Sequence, residues 1–178
     1  MHLARSSFFS ALATLSLILL SGCSQYEWGR PAPAFKTIYV QPVTNSTFVP
    51  QAQASLSAQI RKAIIRDGRL QLANKPAQAE AILQVNLTEY QRENAVRSSE
   101  DSEIALGFDL ILEAEIALIH QRSNQYLIQN RSHRATTNTF GRDFSTGEDT
   151  FSQSEYQAMT RLTKNLADEI ASTVLDVW

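Results

Sequence analysis

The chain has 178 residues, of which 43% are hydrophobic and 19% charged, and its formal net charge at pH 7 is −2. This length and composition fit one domain of roughly 150 residues with short additions. The near-neutral charge excludes the strongly basic surface typical of a nucleic-acid binder, so no nucleic acid is expected as a partner.

The first 22 residues have the pattern of a secretory signal. Arg5 supplies a positive charge, and residues 8–20 form an apolar run that is too short for an ordinary membrane span. The next residues, Ser21-Gly22-Cys23, resemble the lipobox of bacterial lipoproteins, in which the signal is cut before a cysteine that is then acylated. Cys23 is the only cysteine in the chain, which excludes an intramolecular disulfide. An ordinary secretory signal with a chance cysteine is the alternative.

The lipobox predicts how the chain is divided and where it goes. Residues 1–22 are the signal peptide, residues 23–34 a lipidated tether, and residues 35–178 a single α/β sandwich domain. Several acyl chains, palmitate among them, would hold Cys23 firmly at a membrane, whereas one chain alone binds weakly. Ser24 follows the cysteine, and by resemblance to lipoprotein sorting in Gram-negative bacteria a residue other than aspartate favours the outer membrane. Apart from this covalent lipid, no cofactor is expected.

The folded part begins with a predicted strand and a predicted helix. Residues 35–43 are rich in β-branched and aromatic side chains, and Pro42 lacks an amide donor, so the strand should end there or lie at an edge. Residues 44–47 are predicted to form a polar turn. Residues 51–67 predict an amphipathic helix, and Gly68 stands where a left-handed C-cap belongs. The apolar face of this helix contains Leu56, Ile60, Ala63 and Ile64.

The clearest pattern is the strict alternation of residues 104–120. Every even position up to residue 118 is apolar, and the charged residues Asp109, Glu113 and Glu115 all lie at odd positions. A helix would point Glu113 and Glu115 about 200° apart, whereas a strand places the three carboxylates on one face. The sequence therefore predicts a strand with one buried face. Because 17 residues are long for a strand, a bulge is expected, with Gly107 as its site.

Three further segments complete the predicted sheet. Residues 70–72 could add a short strand. Residues 81–90 alternate and predict the second main strand, and residues 91–103 form a hairpin loop or a frayed extension of it. Residues 125–139 predict a polar fourth strand that lies at an edge or is largely exposed.

The chain ends in a predicted helix. Residues 152–155 match a capping box, with Ser152 as the N-cap and Glu155 as its partner. Apolar residues then recur every four positions: Ala158, Leu162, Leu166, Ile170 and Val174. The predicted fold class is α+β, a two-layer sandwich of order β-α-β-β-β-α. Two helices pack on one face of a four-stranded mixed sheet and cover the even face of the long strand.

The sequence contains no pattern of catalytic residues. No HExxH, GxSxG, P-loop or CxxC motif is present. His2 lies in the predicted signal, His120 ends the long strand as a half-buried residue, and His133 is expected to be solvated. The three carboxylates of the long strand could hold a cation or act as paired acids, although a solvated outer face also explains them. We therefore predict that the chain is neither an enzyme nor a metal protein.

Arginines gather away from the predicted core. Arg92 and Arg97 lie in the predicted hairpin, Arg131 and Arg134 on the fourth strand, and Arg142 in the loop after it. Guanidinium groups suit phosphate groups because they donate forked hydrogen bonds. These residues are candidates for phosphate binding, with ordinary surface arginines interspersed among acidic residues as the alternative.

Short motifs along the whole mature chain, in a consistent order and spacing, match one known family. They are Gly22-Cys23 with Tyr26 and Gly29, residues 36–42 with Asn45-Ser46-Thr47, Leu56, Gly68, residues 79–83, residues 130–132, and Leu166-Ala167 with Ile170. On these residues the chain resembles the LptE family of lipopolysaccharide-assembly lipoproteins. It departs from the family in beginning with Ser24-Gln25 and in having an unusually polar fourth strand.

The resemblance implies a lipid-anchored protein on the periplasmic face of the outer membrane. Such proteins assist assembly of the LptD β-barrel, plug its lumen and help transfer lipopolysaccharide to the cell surface. Family members carry basic residues at the hairpin tip and in the loop before the last helix, where this chain has Arg97 and Arg142. Arg92 is a third candidate for binding lipopolysaccharide. The alternative is an accessory lipoprotein of the curli-assembly or synthase-activator type, which binds a protein partner.

Overall fold

The computed structural model describes residues 34–97, 105–140 and 151–177, and these form a sheet covered on one face by two helices. The strands are β1 (Thr37–Val40), β2 (Thr44–Asn45), β3 (Gln71–Leu72), β4 (Ala81–Arg97), β5 (Ala105–His120) and β6 (Gln125–Phe140). The helices are α1 (Pro50–Asp67) and α2 (Phe151–Leu175), and a 3₁₀ turn (Pro76–Gln78) precedes β4. The predicted α+β class is confirmed.

The sheet is mixed, as predicted, but it has six strands and not four. Its order is β3-β1-β4-β5-β6, and β2 pairs with β4 beside this path. β1 is parallel to β3 and β4, whereas β4, β5 and β6 are antiparallel. The two additional strands are two residues long each, and β3 confirms the possible short strand at residues 70–72, whereas β2 was not predicted. One of them, β2, replaces part of the predicted turn at residues 44–47, because the chain returns to β4 after Pro42 interrupts β1.

Side chains of α1 stabilise the interruption at Pro42. The amide of Val43 donates to the Ser57 hydroxyl (3.0 Å), and the Val43 carbonyl accepts from the Gln53 side chain (2.7 Å). Backbone groups that leave a strand need other partners, since an unsatisfied polar group away from water costs free energy. Side chains of α1 supply them, so the break between β1 and β2 is a fixed feature of the fold.

The first helix follows its sequence signals closely. Pro50 opens α1. The missing N–H of proline costs no hydrogen bond at this position, because the first amides of a helix have no intrahelical partner. Gly68 ends it in the left-handed conformation with φ 79°, as predicted, and its amide donates to the Ile64 carbonyl at 3.2 Å. The predicted apolar face is buried.

The predicted alternation of β5 is confirmed in the core. The even residues from Leu110 to Leu118 are at most 1% exposed and belong to the same apolar cluster as the buried stripes of α1 and α2. Asp109, Glu113 and Glu115 are half-buried on the opposite, uncovered face. Ile111 also lies on that face, yet it is only 3% exposed. One face of the sheet is therefore core and the other is open.

Three irregularities reshape the long strands. Thr88 is an extra residue in β4, because Leu87 pairs with Ala114 and Glu89 with Glu113. A bulge lies next to Gly107, but the extra residue of β5 is Leu106 and not the predicted Gly107, because Gly107 pairs with Val96 and Ala105 with Arg97. β6 shifts twice against the end of β5, near Asn130, whose φ is 48°. Each bulge increases the local twist of the sheet.

Two predicted boundaries can be stated more closely. Of the two alternatives for residues 91–103, the extension of the strand holds for residues 91–97, because β4 extends to Arg97, while residues 98–104 and 141–150 lie outside the described residues. α2 begins at Phe151, so Ser152 lies within the helix and not at its N-cap. The polar β6 is an edge strand, as predicted.

The sheet has two distinct ends. At the tether end, the chain enters at Ala34, and the starts of β1 and β4 lie beside His120, the last residue of β5. At the hairpin end, Arg97 pairs with Ala105, and Phe140 pairs with Gly107. A 16-residue strand at about 3.3 Å per residue separates these ends by about 50 Å.

Candidate functional site

The hairpin end brings together the segments that contain the predicted site residues. β4 ends there at Arg97, β6 ends there at Phe140, and α2 begins there at Phe151. The side chain of Arg97 and the whole of Arg142 lie outside what the structure describes. In the sequence, Arg97 is the last residue of β4, and Arg142 follows Phe140, the last residue of β6, by two positions. Their role in binding stays a prediction.

Arg92 lies in a strand and not in the predicted loop. The extra residue Thr88 reverses the alternation of β4, so that Tyr90 and Arg92 pair with the core residues Leu112 and Leu110. Both side chains therefore point to the side of the sheet that α2 covers. The alternation in the sequence could not locate this reversal, because no particular residue type marks a bulge and a threonine does not stand out as one.

Tyr90 and Arg92 converge on one carboxylate of α2. The Tyr90 hydroxyl donates to Glu155 Oε1 at 2.5 Å, and Arg92 Nη2 donates to the two carboxylate oxygens at 2.8 and 3.1 Å. Burial, followed by the hydrogen bond to Glu155, raises the pKa of Tyr90, so its hydroxyl stays a donor at neutral pH. Glu155 therefore ties α2 to β4, which is a different role from the predicted capping box.

Two further aromatic rings lie against the two donors to this carboxylate. The ring of Phe48 packs edge-on against Tyr90 with the centroids 5.5 Å apart, and the Arg92 guanidinium lies 6.0 Å from the centroid of Phe108. Phe48 is 76% exposed. We call Phe48, Tyr90, Arg92, Phe108 and Glu155 the hairpin-end cluster. It combines a paired guanidinium with exposed apolar surface on the half of β4 that leads to the hairpin, with Tyr90 and Arg92 seven and five residues before Arg97.

The two arginines of β6, Arg131 and Arg134, lie apart from this cluster. Arg134 is on the open face, with its Nε 3.6 Å from Glu113 Oε1. Arg131 pairs in register with Ile116, on the face that α2 covers. The predicted set of arginines is therefore divided between the two faces of the sheet.

The three carboxylates of β5 do share one face, as predicted. Among the described residues, however, no group of three or more histidine, cysteine, aspartate or glutamate side chains is arranged to hold a metal ion. Glu113 is engaged by Arg134, as noted above. This arrangement is that of a solvated outer face.

The two histidines of the folded part differ in their surroundings. His120 is half-buried as predicted, and its Nδ1 lies 3.0 Å from the Ser123 hydroxyl. His133 was predicted to be solvated, but its side chain is only 10% exposed under α2. Burial, and secondarily the charge of Arg131, lowers its pKa.

Within the described part of the chain, no helix is long and apolar enough to cross a membrane. The apolar stripes of α1 and α2 are used in the core.

Comparisons with known proteins agree with this architecture. Three solved structures share the fold at 12–14% identity. A hypothetical protein from Chlamydia trachomatis is 13% identical, with a TM-score of 0.58 over 81% of this chain and 98% of that one. A protein from Xanthomonas campestris is 12% identical, with a TM-score of 0.56 over 82% and 89%. A minor lipoprotein from Acinetobacter baumannii is 14% identical, with a TM-score of 0.52 over 80% and 92%.

The sequence comparisons identify the family. No curated protein sequence matches the chain significantly. The family model of LptE, described as lipopolysaccharide-assembly, matches residues 35–174, which is most of the chain and spans the fold from the start of β1 almost to the end of α2. The chain therefore belongs to the LptE family of lipopolysaccharide-assembly proteins.

Proposed function

We propose that this chain is an outer-membrane lipoprotein, anchored through an acylated Cys23 on the periplasmic face, that works with an LptD-type β-barrel. It assists assembly of that barrel, plugs its lumen and helps transfer lipopolysaccharide to the cell surface. The observation that carries the proposal is the family match over residues 35–174. The partners are the barrel, lipopolysaccharide and, through the lipid, the membrane.

The geometry supports a division of labour between the two ends. Ala34, the first described residue, lies at the tether end, while β4 ends with Arg97 and β6 with Phe140 at the hairpin end, about 50 Å away at ~3.3 Å per strand residue. This separation lets one end stay at the anchoring membrane while the other meets a substrate. Glu155 joins α2 to β4 there and gives the hairpin a fixed base.

The chemistry of the hairpin end suits a phosphorylated glycolipid. Arginine donates forked, charge-assisted hydrogen bonds that fit phosphate oxygens. Phe48, which is exposed and packs against Tyr90, offers apolar contact in the cluster that contains Arg92. Arg92 already shares the carboxylate of Glu155, so we assign it the supporting role and assign direct phosphate contact to Arg97 and Arg142.

The first test measures lipopolysaccharide binding by the full chain. Replacing both Arg97 and Arg142 with glutamate should weaken binding more than tenfold, because each charge-assisted contact contributes about 1.5–3 kcal/mol. Binding by the unaltered protein should also fall as salt is added. The melting temperature should change little, because the described apolar core is built from other residues.

The matched control reverses two charges near the tether end, Lys75→Glu with Arg122→Glu, where both residues are exposed. It changes the net charge by the same amount and should leave the affinity nearly unchanged. Equal affinities for the hairpin-end variant and the unaltered protein would remove these arginines from the site.

A second test concerns the barrel. A plug inside a lumen meets the wall on both of its layers, whereas a protein docked on one side does not. Photo-crosslinking residues at Thr136 on the open sheet face and at Gln157 on α2, both exposed, should each yield adducts with the same β-barrel. Adducts from one position alone would contradict plugging. Adducts with a peptidoglycan synthase or a secretion pore would favour an accessory lipoprotein of another kind.

A further inference from the structure

The open face of the sheet contains a groove far from the hairpin end. Its volume is about 470 Å³. It lies between the break that separates β1 from β2 and the neighbouring parts of β4, β5 and β6. Gln41, Gln84, Asn86 and Asn130 supply carboxamides to its lining, and Glu115 supplies a carboxylate. Among the described residues that line it, none is basic.

Two strand irregularities make this part of the face concave. On one side Pro42 separates β1 from β2, and on the other β6 shifts its register near Asn130. Between them β5 contributes Ala117 to the lining, and its small side chain leaves space in the groove. Strand bulges are enriched next to functional sites because they redirect side chains. Here two irregularities flank the same level of the sheet.

The register places the polar groups in a row across four strands. Thr44 pairs with Asn86, Asn86 with Glu115, and Glu115 with Ser132. Asn86 Oδ1 accepts from the Thr44 hydroxyl (2.9 Å) and from the Ser46 hydroxyl (3.3 Å), which fixes the orientation of this amide. Gln84, beside Ala117, continues the amide lining toward the tether end.

An apolar row borders the groove on that side. Tyr39 pairs with Ile82, Ile82 with Ile119, and Ile119 with Tyr126, so one tyrosine stands at each edge of the row. Tyr126 is 51% exposed, and the other three side chains are half-buried. Amphipathic rings beside hydrogen-bonding groups suit a ligand that has both polar and apolar faces.

We propose that this groove binds an uncharged oligosaccharide of pyranose units. Each sugar hydroxyl donates and accepts, and so does each carboxamide, while Glu115 accepts two hydrogen bonds from neighbouring hydroxyls. The C–H faces of the rings pack against the tyrosine row. A phosphate ligand is disfavoured because the lining holds a carboxylate and no described basic group. This site is separate from the arginines of the hairpin end and does not depend on the proposed function.

The test uses the full chain in lauryldimethylamine oxide, a detergent without a sugar headgroup. Maltohexaose, cellohexaose and chitohexaose are titrated by calorimetry and by saturation-transfer NMR. At least one should bind at millimolar concentration or below. Glu115→Gln should weaken that binding about tenfold and Asn86→Ala about fivefold, as expected for the loss of a charge-assisted and a neutral hydrogen bond.

Two controls keep the result specific. Glu93→Gln and Asn138→Ala change matching residues of the open face outside the groove and should leave sugar binding unchanged. The double variant of Arg97 and Arg142 should also bind the sugar normally, and inorganic phosphate should not compete. If none of the three sugars binds at millimolar concentration, or if the groove variants and control variants bind equally, the proposal is wrong.

Discussion

Glu155 illustrates how one side chain can join two layers of a protein. Its carboxylate is 17% exposed and receives hydrogen bonds from a buried tyrosine and a half-exposed arginine. Such a carboxylate would be costly to bury alone, but its charge is compensated here by the guanidinium. A glutamate three residues after a serine usually indicates a capping box. In this chain the demand of the buried Tyr90 hydroxyl for a partner prevails over that local role.

His133 makes stability depend on pH. Its Nε2 is buried without a hydrogen-bond partner among the described residues, and burial and Arg131 lower its pKa below the ordinary 6.5. The Nδ1 atom is 4.0 Å from Glu169, but that carboxylate is largely exposed and does not reverse the shift. Because the unfolded chain binds the proton more readily, stability falls as the pH drops below about 6.5 toward the folded-state pKa.

We expect His133→Gln to remove this component of the pH dependence. The free energy of unfolding should be measured by denaturant titration between pH 5 and pH 8, and the slope attributable to one group is at most about 1.4 kcal/mol per pH unit. Ser132→Ala, an exposed neighbour on β6, should keep the slope of the unaltered protein. An unchanged slope in the His133 variant would refute the assignment.

The two faces of β5 predict opposite responses to mutation. Leu110 is fully buried, so Leu110→Asp places a charge in the core without a partner and should cost several kcal/mol or prevent folding. Glu113→Gln on the open face should change stability by about 0.5 kcal/mol, because its contact with Arg134 is long and partly exposed. Chemical denaturation of both variants measures the two changes in the free energy of unfolding. Comparable decreases would mean that the faces are assigned wrongly.

The elements that sequence predicted well have strong, local signals. Alternation over 17 residues identified β5, and the four-residue recurrence of apolar side chains identified α2. Pro42 and Gly68 fixed the ends of β1 and α1 through backbone chemistry. The missed features depend on tertiary contacts. They are the pairing of Thr44 with β4 and the bulge at Thr88, which become apparent only beside the neighbouring strand. The neighbouring strand also decides that residues 91–97 extend β4 and do not form a loop.

The candidate sites were predictable to a smaller extent. Sequence gave reason to expect arginines near the hairpin, but it placed Arg92 in a loop, and only the reversed alternation of β4 shows why it meets Glu155. The groove on the open face could not be predicted. Its lining comes from four strands and from a bulge whose position no local pattern specifies. Arg97 and Arg142 remain assigned by family resemblance and by the convergence of their segments.

For the whole molecule, we expect the position in the cell to depend on Cys23. Cys23→Ala, made in a chain whose residues 1–22 are replaced by a signal peptide that is cleaved without a cysteine, should release the protein from the membrane fraction in cells that lack the barrel partner. The apolar stripes of the described helices are used in the core, and no lipid would then be attached. Fractionation followed by immunoblotting measures this release, and Ser24→Ala serves as the neighbouring control that stays in the membrane. Sedimentation of the cysteine variant with membranes would show that the anchor lies elsewhere.

The irregular edge of the sheet also bears on how the protein behaves before it meets a partner. β6 presents a 16-residue edge, and long flat edges invite other chains to add strands, which leads to aggregation. The two register shifts around residues 127–130 and the exposed Arg131 and Arg134 make this edge twisted and charged. These shifts limit the regular part of the edge to residues 131–140, which shortens the run of backbone hydrogen bonds that a second copy could form. The same bulge that borders the groove therefore also reduces the length of edge that another copy of the chain could pair with.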